Sequence, residues 1–120
     1  MKKKNIKILT VMFIIIIIIV AYKVIGGNSI KNKTYNYLES KGYVEDDIYE
    51  IEIKHSFLNK LLSYNEWRVF VEFKSEPGII FAFTYRNKEI VRQGVTSTPL
   101  LDKDEILEYE KKLENGELKI

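Results

Sequence analysis

One unbroken apolar run constrains this chain more than any other feature. Ile8–Ile25 covers 18 residues, with six consecutive isoleucines at Ile14–Ile19, and only Thr10 and Lys23 interrupt it. As a helix rising about 1.5 Å per residue it reaches roughly 27 Å, close to the ~30 Å hydrocarbon thickness of a bilayer. It is apolar all the way round, and no small body could cover such a helix completely. Lys2, Lys3, Lys4 and Lys7 precede it. Their charge is expected to keep residues 1–7 in the cytoplasm and to send the remainder outward. Tyr22 and Lys23 suit the opposite headgroup region, aromatic ring and snorkelling ammonium together.

A secretory signal peptide shares the basic start and needs an apolar core of only about 7–15 residues. The strictly apolar part, Val11–Ala21, fits that range. The small-x-small cleavage pattern is missing at Ala21 and at Gly26, because Tyr22 and Lys23 follow Ala21 and bulky Ile25 precedes Gly26. Cleavage after Gly26 stays open as the alternative. The expected organisation is therefore a basic segment 1–7, a transmembrane helix 8–25, a joint 26–29 and an extracytoplasmic α+β domain 30–120.

Five of the 19 basic residues lie in the leader, so the body from Asn28 sets 14 basic against 17 acidic side chains, a net charge of −3. Such a mixed, mildly acidic surface is a poor electrostatic match for nucleic acid. The chain has no cysteine, which excludes disulfides, thiol chemistry, thiolate metal sites and a lipidated cysteine.

Within the body, Gly26, Gly27 and Asn28 read as a flexible joint and Ser29 as an N-cap. The spacing of Ile30, Thr34, Tyr37, Leu38 and Lys41 predicts a helix over 30–41 that stops at Gly42. In DIYEIEIKH, Tyr49, Ile51 and Ile53 alternate with Glu50, Glu52 and Lys54, the period-two pattern of a half-buried strand. SFLNKLLSYN is a longer connection with room for one helical turn. EWRVFVEF and IIFAFTY are strands whose inner faces carry Trp67, Val69, Val71 and Phe73, then Ile79, Phe81, Phe83 and Tyr85. Glu76-Pro77-Gly78-Ile79 and Arg86-Asn87-Lys88 are turns with the residues turns need. EIVRQGV, short and partly polar, is the candidate edge strand.

After Thr98-Pro99, Asp102 with Glu105 forms a capping box, Ile106, Tyr109 and Leu113 a stripe, and Gly116 a stop. Short loops favour an antiparallel meander. The fold class is α+β: an N-terminal transmembrane helix, a further helix, a four-stranded antiparallel β-meander and a C-terminal helix. A cystatin-like curl of the sheet around the first helix is one natural form of that order. Phe70 shares the opposite face with Arg68 and Glu72, and that face is expected to pack under the C-terminal helix rather than to stay open.

No catalytic, cofactor-binding or metal-binding residue is nominated. The single histidine, His55, ends its strand without a nucleophile motif beside it, and Ser56 should point to the other face. Glu45-Asp46-Asp47 lacks the turning, glycine-containing ligand pattern of a calcium loop and reads as a solvated turn.

YLESKGY, EWRVFVEFKSEPGIIFAFTY and KEIVRQG, behind a lysine-rich start and one membrane segment, carry a likeness. Through Tyr37, Leu38, Gly42, Tyr43, Val69, Val71, Phe73, Glu76-Pro77, Phe81, Phe83 and Tyr85 the chain resembles a family of small membrane-anchored proteins of Gram-positive bacteria, known as domain of unknown function 3139. The resemblance implies an exported, anchored placement and no activity, cofactor or site residue. The expected function is non-enzymatic: a tethered domain whose partners are the lipid bilayer and an envelope protein or peptide, with an immunity or inhibitor protein as a specific version. An extracytoplasmic hydrolase using carboxylates with His55 is the alternative.

Overall fold

The computed structural model describes residues 2–62, 66–97 and 100–120. Ser63-Tyr64-Asn65, the end of the predicted β-strand connection, and the Thr98-Pro99 break lie outside the described residues. The order of elements is α1 (Lys2–Ser40), a 3-10 turn (Glu45–Asp47), β1 (Ile48–His55), α2 (Phe57–Leu61), β2 (Trp67–Phe73), β3 (Ile79–Arg86), β4 (Glu89–Ser97) and α3 (Lys103–Glu114). The strands form one antiparallel meander in the order β1-β2-β3-β4. The α+β class, the long apolar N-terminal helix, the four-stranded antiparallel meander and the C-terminal helix are those the residue pattern predicts.

The joint at 26–29 is not there. α1 is a single helix of 39 residues, and Gly26, Gly27, Asn28 and Ser29 sit inside it rather than in a hinge and a cap. Two glycines cost a helix about 1 kcal/mol each relative to alanine, and packing overrides that cost at the first of them. An ideal Cβ on Gly26 would lie 2.7 and 2.9 Å from two carbons of the Trp67 indole, whereas one on Gly27 meets nothing within 4 Å. Gly26 is thus a seat for Trp67. Ile30, Thr34 and Leu38, also buried, continue the same stripe at intervals of four. Thr34 satisfies its hydroxyl by donating to the Ile30 carbonyl at 2.8 Å.

α1 ends in a Schellman motif. The Tyr43 N–H reaches the Leu38 carbonyl (3.1 Å) and the Gly42 N–H the Glu39 carbonyl (2.9 Å), with Gly42 at φ 94°. α3 begins on the expected capping box, the Glu105 N–H donating to Asp102 at 2.8 Å. It ends at Gly116 in a second Schellman motif, from the Glu117 N–H to the Lys112 carbonyl at 2.9 Å.

Tyr43 joins the two helix ends. Its buried hydroxyl donates toward the Lys112 and Leu113 carbonyls (3.0 and 2.9 Å) and accepts the Leu118 N–H at 3.3 Å. The core between α1, α3 and the sheet also holds Val69, Val71, Phe73, Phe81, Phe83, Leu113 and Leu118.

Three further expectations are corrected. Tyr49 points to solvent and Ile48 is buried instead, because the register slips between Ile48 and Glu50. One extra residue at that bulge reverses the parity before Ile51 and Ile53 resume the alternation. The fourth strand is not short: β4 has nine residues and pairs with β3 along its length, from Ile79↔Ser97 to Arg86↔Glu89. It is an edge strand, as expected. Finally, α3 docks on the same face as α1, its Tyr109 ring meeting Phe81 edge-on at 6.5 Å. The face carrying Phe70 therefore has no helix over it among the described elements. There the Lys54 ammonium and the Arg68 guanidinium lie over the Phe70 ring, each 5.3 Å from its centre.

Candidate functional site

β1 runs back along α1 from the buried end near Tyr43 toward the apolar segment. Its last residue, His55, therefore arrives beside Tyr22, and β2 starts there with Trp67 opposite His55. Four aromatic rings converge at this foot of the sheet. The His55 ring centre lies 4.3 Å from Phe57, 4.3 Å from Trp67 and 5.3 Å from Tyr22.

A single carboxylate organises the polar atoms. Glu66 Oε1 accepts from the Tyr22 hydroxyl at 2.6 Å and from His55 Nε2 at 2.7 Å, with Lys60 Nζ 3.9 Å away. Burial pushes the Glu66 carboxyl up. The hydrogen bonds from Tyr22 and His55 and the charge of Lys60 outweigh that and hold it below the ordinary range. An ionised carboxylate can only accept, so His55 Nε2 carries the hydrogen. The other ring nitrogen, Nδ1, is buried and meets no hydrogen-bond partner among the described residues.

This cluster binds the apolar helix to the sheet by a charge-assisted hydrogen-bond centre in a mostly apolar surround. Its hydroxyls are already committed. Tyr22 donates to Glu66, and Ser56 accepts the Asn59 N–H at 3.2 Å as the N-cap of α2.

The acidic run Glu45-Asp46-Asp47 is far from His55. Glu45, Asp46 and Asp47 precede β1 at its opposite end, roughly 25 Å away at ~3.3 Å per strand residue. Nor is that segment wholly solvated. Asp47 is buried and accepts the Val44 N–H at 2.9 Å and the Ile120 N–H at 3.1 Å. Those backbone donors, the Val44 bond foremost, hold its carboxyl below the ordinary range against the opposing effect of burial. A second carboxylate, Glu114 in α3's last turn, ties three elements: it meets Lys41, just past the end of α1, at 2.8 Å and Arg92 of β4 at 2.9 Å.

Tyr22, Phe57, Lys60 and Glu66 were not legible as a group. The partners of Glu66 in this cluster lie 44, 11 and 6 positions away in the chain, and only the rotation of α1 that seats Trp67 on Gly26 brings Tyr22 to it. The lone usable signal was Tyr22 itself, an aromatic residue closing the apolar run.

Fold and site define a class: a small α+β body built directly onto one end of a long apolar helix. Within that class, the chain belongs to the family described as Protein of unknown function (DUF3139), which it matches over residues 2–85. The matched stretch contains the whole foot cluster and stops before β4 and α3. No curated protein and no solved structure matches the chain.

Proposed function

We propose that the protein is a single-pass membrane-anchored domain, with its basic N-terminal residues in the cytoplasm and its α+β body held against the outer surface, where it binds an envelope protein or peptide without catalysis. The observation that carries this reading is the continuity of α1. Ile8–Ile19 are all solvent-exposed, in a helix long and apolar enough to cross a membrane. The same helix supplies Ile30, Thr34 and Leu38 to the core. A cleavage after Gly26 would remove Tyr22 and with it one donor to Glu66, which supports the uncleaved form. Two surfaces suit a partner: the open sheet face around Phe70, and β4 at the edge of the sheet.

The test has two stages. The natively expressed chain should stay in the membrane pellet after an alkaline wash at full-length mass; a soluble product lacking about 26 residues, as cleavage at the end of a signal peptide would leave, would end the anchor reading. A partner should then be enriched over an anchor-only control and lost with Phe70→Glu.

The His55–Glu66 pair at 2.7 Å favours one second reading, an extracytoplasmic hydrolase. It predicts that an activity found on cell-wall or peptide substrates disappears with His55→Ala and with Glu66→Gln.

A further inference from the structure

Among the described residues, exposed apolar side chains outside α1 are scattered, with one exception. Leu58, Leu61 and Leu62 are 63, 82 and 55 % exposed. They stand at positions i, i+3 and i+4, the spacing that places side chains on one helical face. α2 and its C-cap Leu62 therefore show water three leucines on a single turn, while the first residue of α2, Phe57, packs on His55 and Tyr22 (4.3 and 5.6 Å).

The position of α2 says what covers that face. Phe57 touches Tyr22, three residues before the apolar run of α1 ends at Ile25. β1 runs toward this end of the molecule, and α2 starts two residues after His55. Phe57 thus holds the short leucine-bearing helix at the level of Tyr22, next to the end of the exposed apolar run of α1. Two ammonium groups lie at the same level: Lys23 Nζ 5.5 Å from the centre of the Phe57 ring, and Lys60 Nζ 5.2 Å from that of Tyr22. Exposed leucines on a short helix whose neighbourhood also carries aromatic rings and ammonium groups are the chemistry of an interfacial helix among lipid headgroups and acyl ends.

We propose that α2 is a second membrane contact, a foot whose Leu58, Leu61 and Leu62 enter the outer leaflet beside the anchor. The proposal rests on reading α1 as that anchor. With two contacts, the body cannot swing about α1, and its Phe70 face and β4 edge keep a fixed attitude to the bilayer. The Glu66 centre then acts as a brace between the two membrane elements.

The chain has no cysteine, so single-cysteine variants report cleanly. Ile17→Cys marks the span, Leu61→Cys the foot, and Tyr49→Cys the far end of β1, where the side chain is 65 % exposed. Each full-length variant carries an environment-sensitive fluorophore and is reconstituted into phosphatidylcholine–phosphatidylglycerol vesicles containing nitroxide-labelled lipid. The expected result is quenching at 17 and 61, the latter at least about twofold stronger than at 49, as for a helix seated a few ångströms into the interface.

Quenching at 17 with position 61 no more quenched than 49 overturns the foot and leaves the anchor standing. No quenching at 17 overturns the anchor reading itself. An emission at 61 that reports an apolar surround yet is no more quenched than at 49, and that shifts toward the red when the protein is diluted in lipid, means a second copy covers the leucines, and overturns the lipid assignment.

Discussion

Alanine at Gly26 and alanine at Gly27 should move stability in opposite directions, although the two positions are neighbours in one helix. Each substitution removes a helical glycine, worth about 1 kcal/mol in favour of the variant. At Gly27 nothing opposes that gain, since the new Cβ has open space around it. At Gly26 the same atom would sit 2.7 Å from the indole of Trp67, a ring already flanked by His55 at 4.3 Å and Tyr22 at 6.0 Å. Overpacking of that kind costs about 1–3 kcal/mol. Gly27→Ala should therefore stabilise by about 1 kcal/mol, and Gly26→Ala should fall between neutral and about 2 kcal/mol destabilising.

Because the propensity gain is common to both, their separation isolates the contact with Trp67. For a body of this size 1 kcal/mol moves Tm by roughly 4–8 °C, so the two variants should melt on the order of 10 °C apart. The assay is thermal unfolding in detergent micelles followed by the fluorescence of Trp67, the single tryptophan. In a Trp67→Phe background, which deletes the two carbons concerned, the separation should shrink, and the double-mutant cycle measures by how much. Equal melting of the two alanine variants in the wild-type background would refute the close seating of Trp67 on α1.

Two other outcomes follow from buried polar groups. Tyr43→Phe removes the hydroxyl that serves two carbonyls of α3 and the Leu118 N–H; it should cost about 1–3 kcal/mol in a urea titration, with the m-value unchanged. Asp47 has a folded pKa below its unfolded value, so its contribution is present above about pH 4 and is lost as pH falls through the folded pKa. Asp47→Asn should accordingly be less stable than wild type at pH 7, and the gap should narrow as both are titrated into acid.

The sequence by itself determined the features written in local chemistry. An all-apolar run of membrane length, alternation along the strands, Pro77-Gly78 in a turn and Asp102 with Glu105 at a helix start each act within a few residues. Apart from the alternation at Tyr49, the structure keeps them: Gly78 has φ 84°, Asn87 and Lys88 are both left-handed as a two-residue hairpin turn requires, and Asp102 caps α3.

What only the tertiary structure decided depends on contacts between distant parts of the chain. Gly26-Gly27 carries the local signal of a hinge, yet a helix runs through it because Trp67, some 40 residues on, needs a surface without a side chain. Tyr49 has the parity of a core residue, and a bulge set by the pairing of β1 with β2 turns it out. Glu66, at a strand's start, gives no sign in the sequence of its role. It gathers Tyr22, His55 and Lys60 only after the sheet has been laid along the helix. Local propensity fixes elements, whereas the relative rotation of elements is fixed by how their side chains fit one another, and the foot of this protein is a product of that fit.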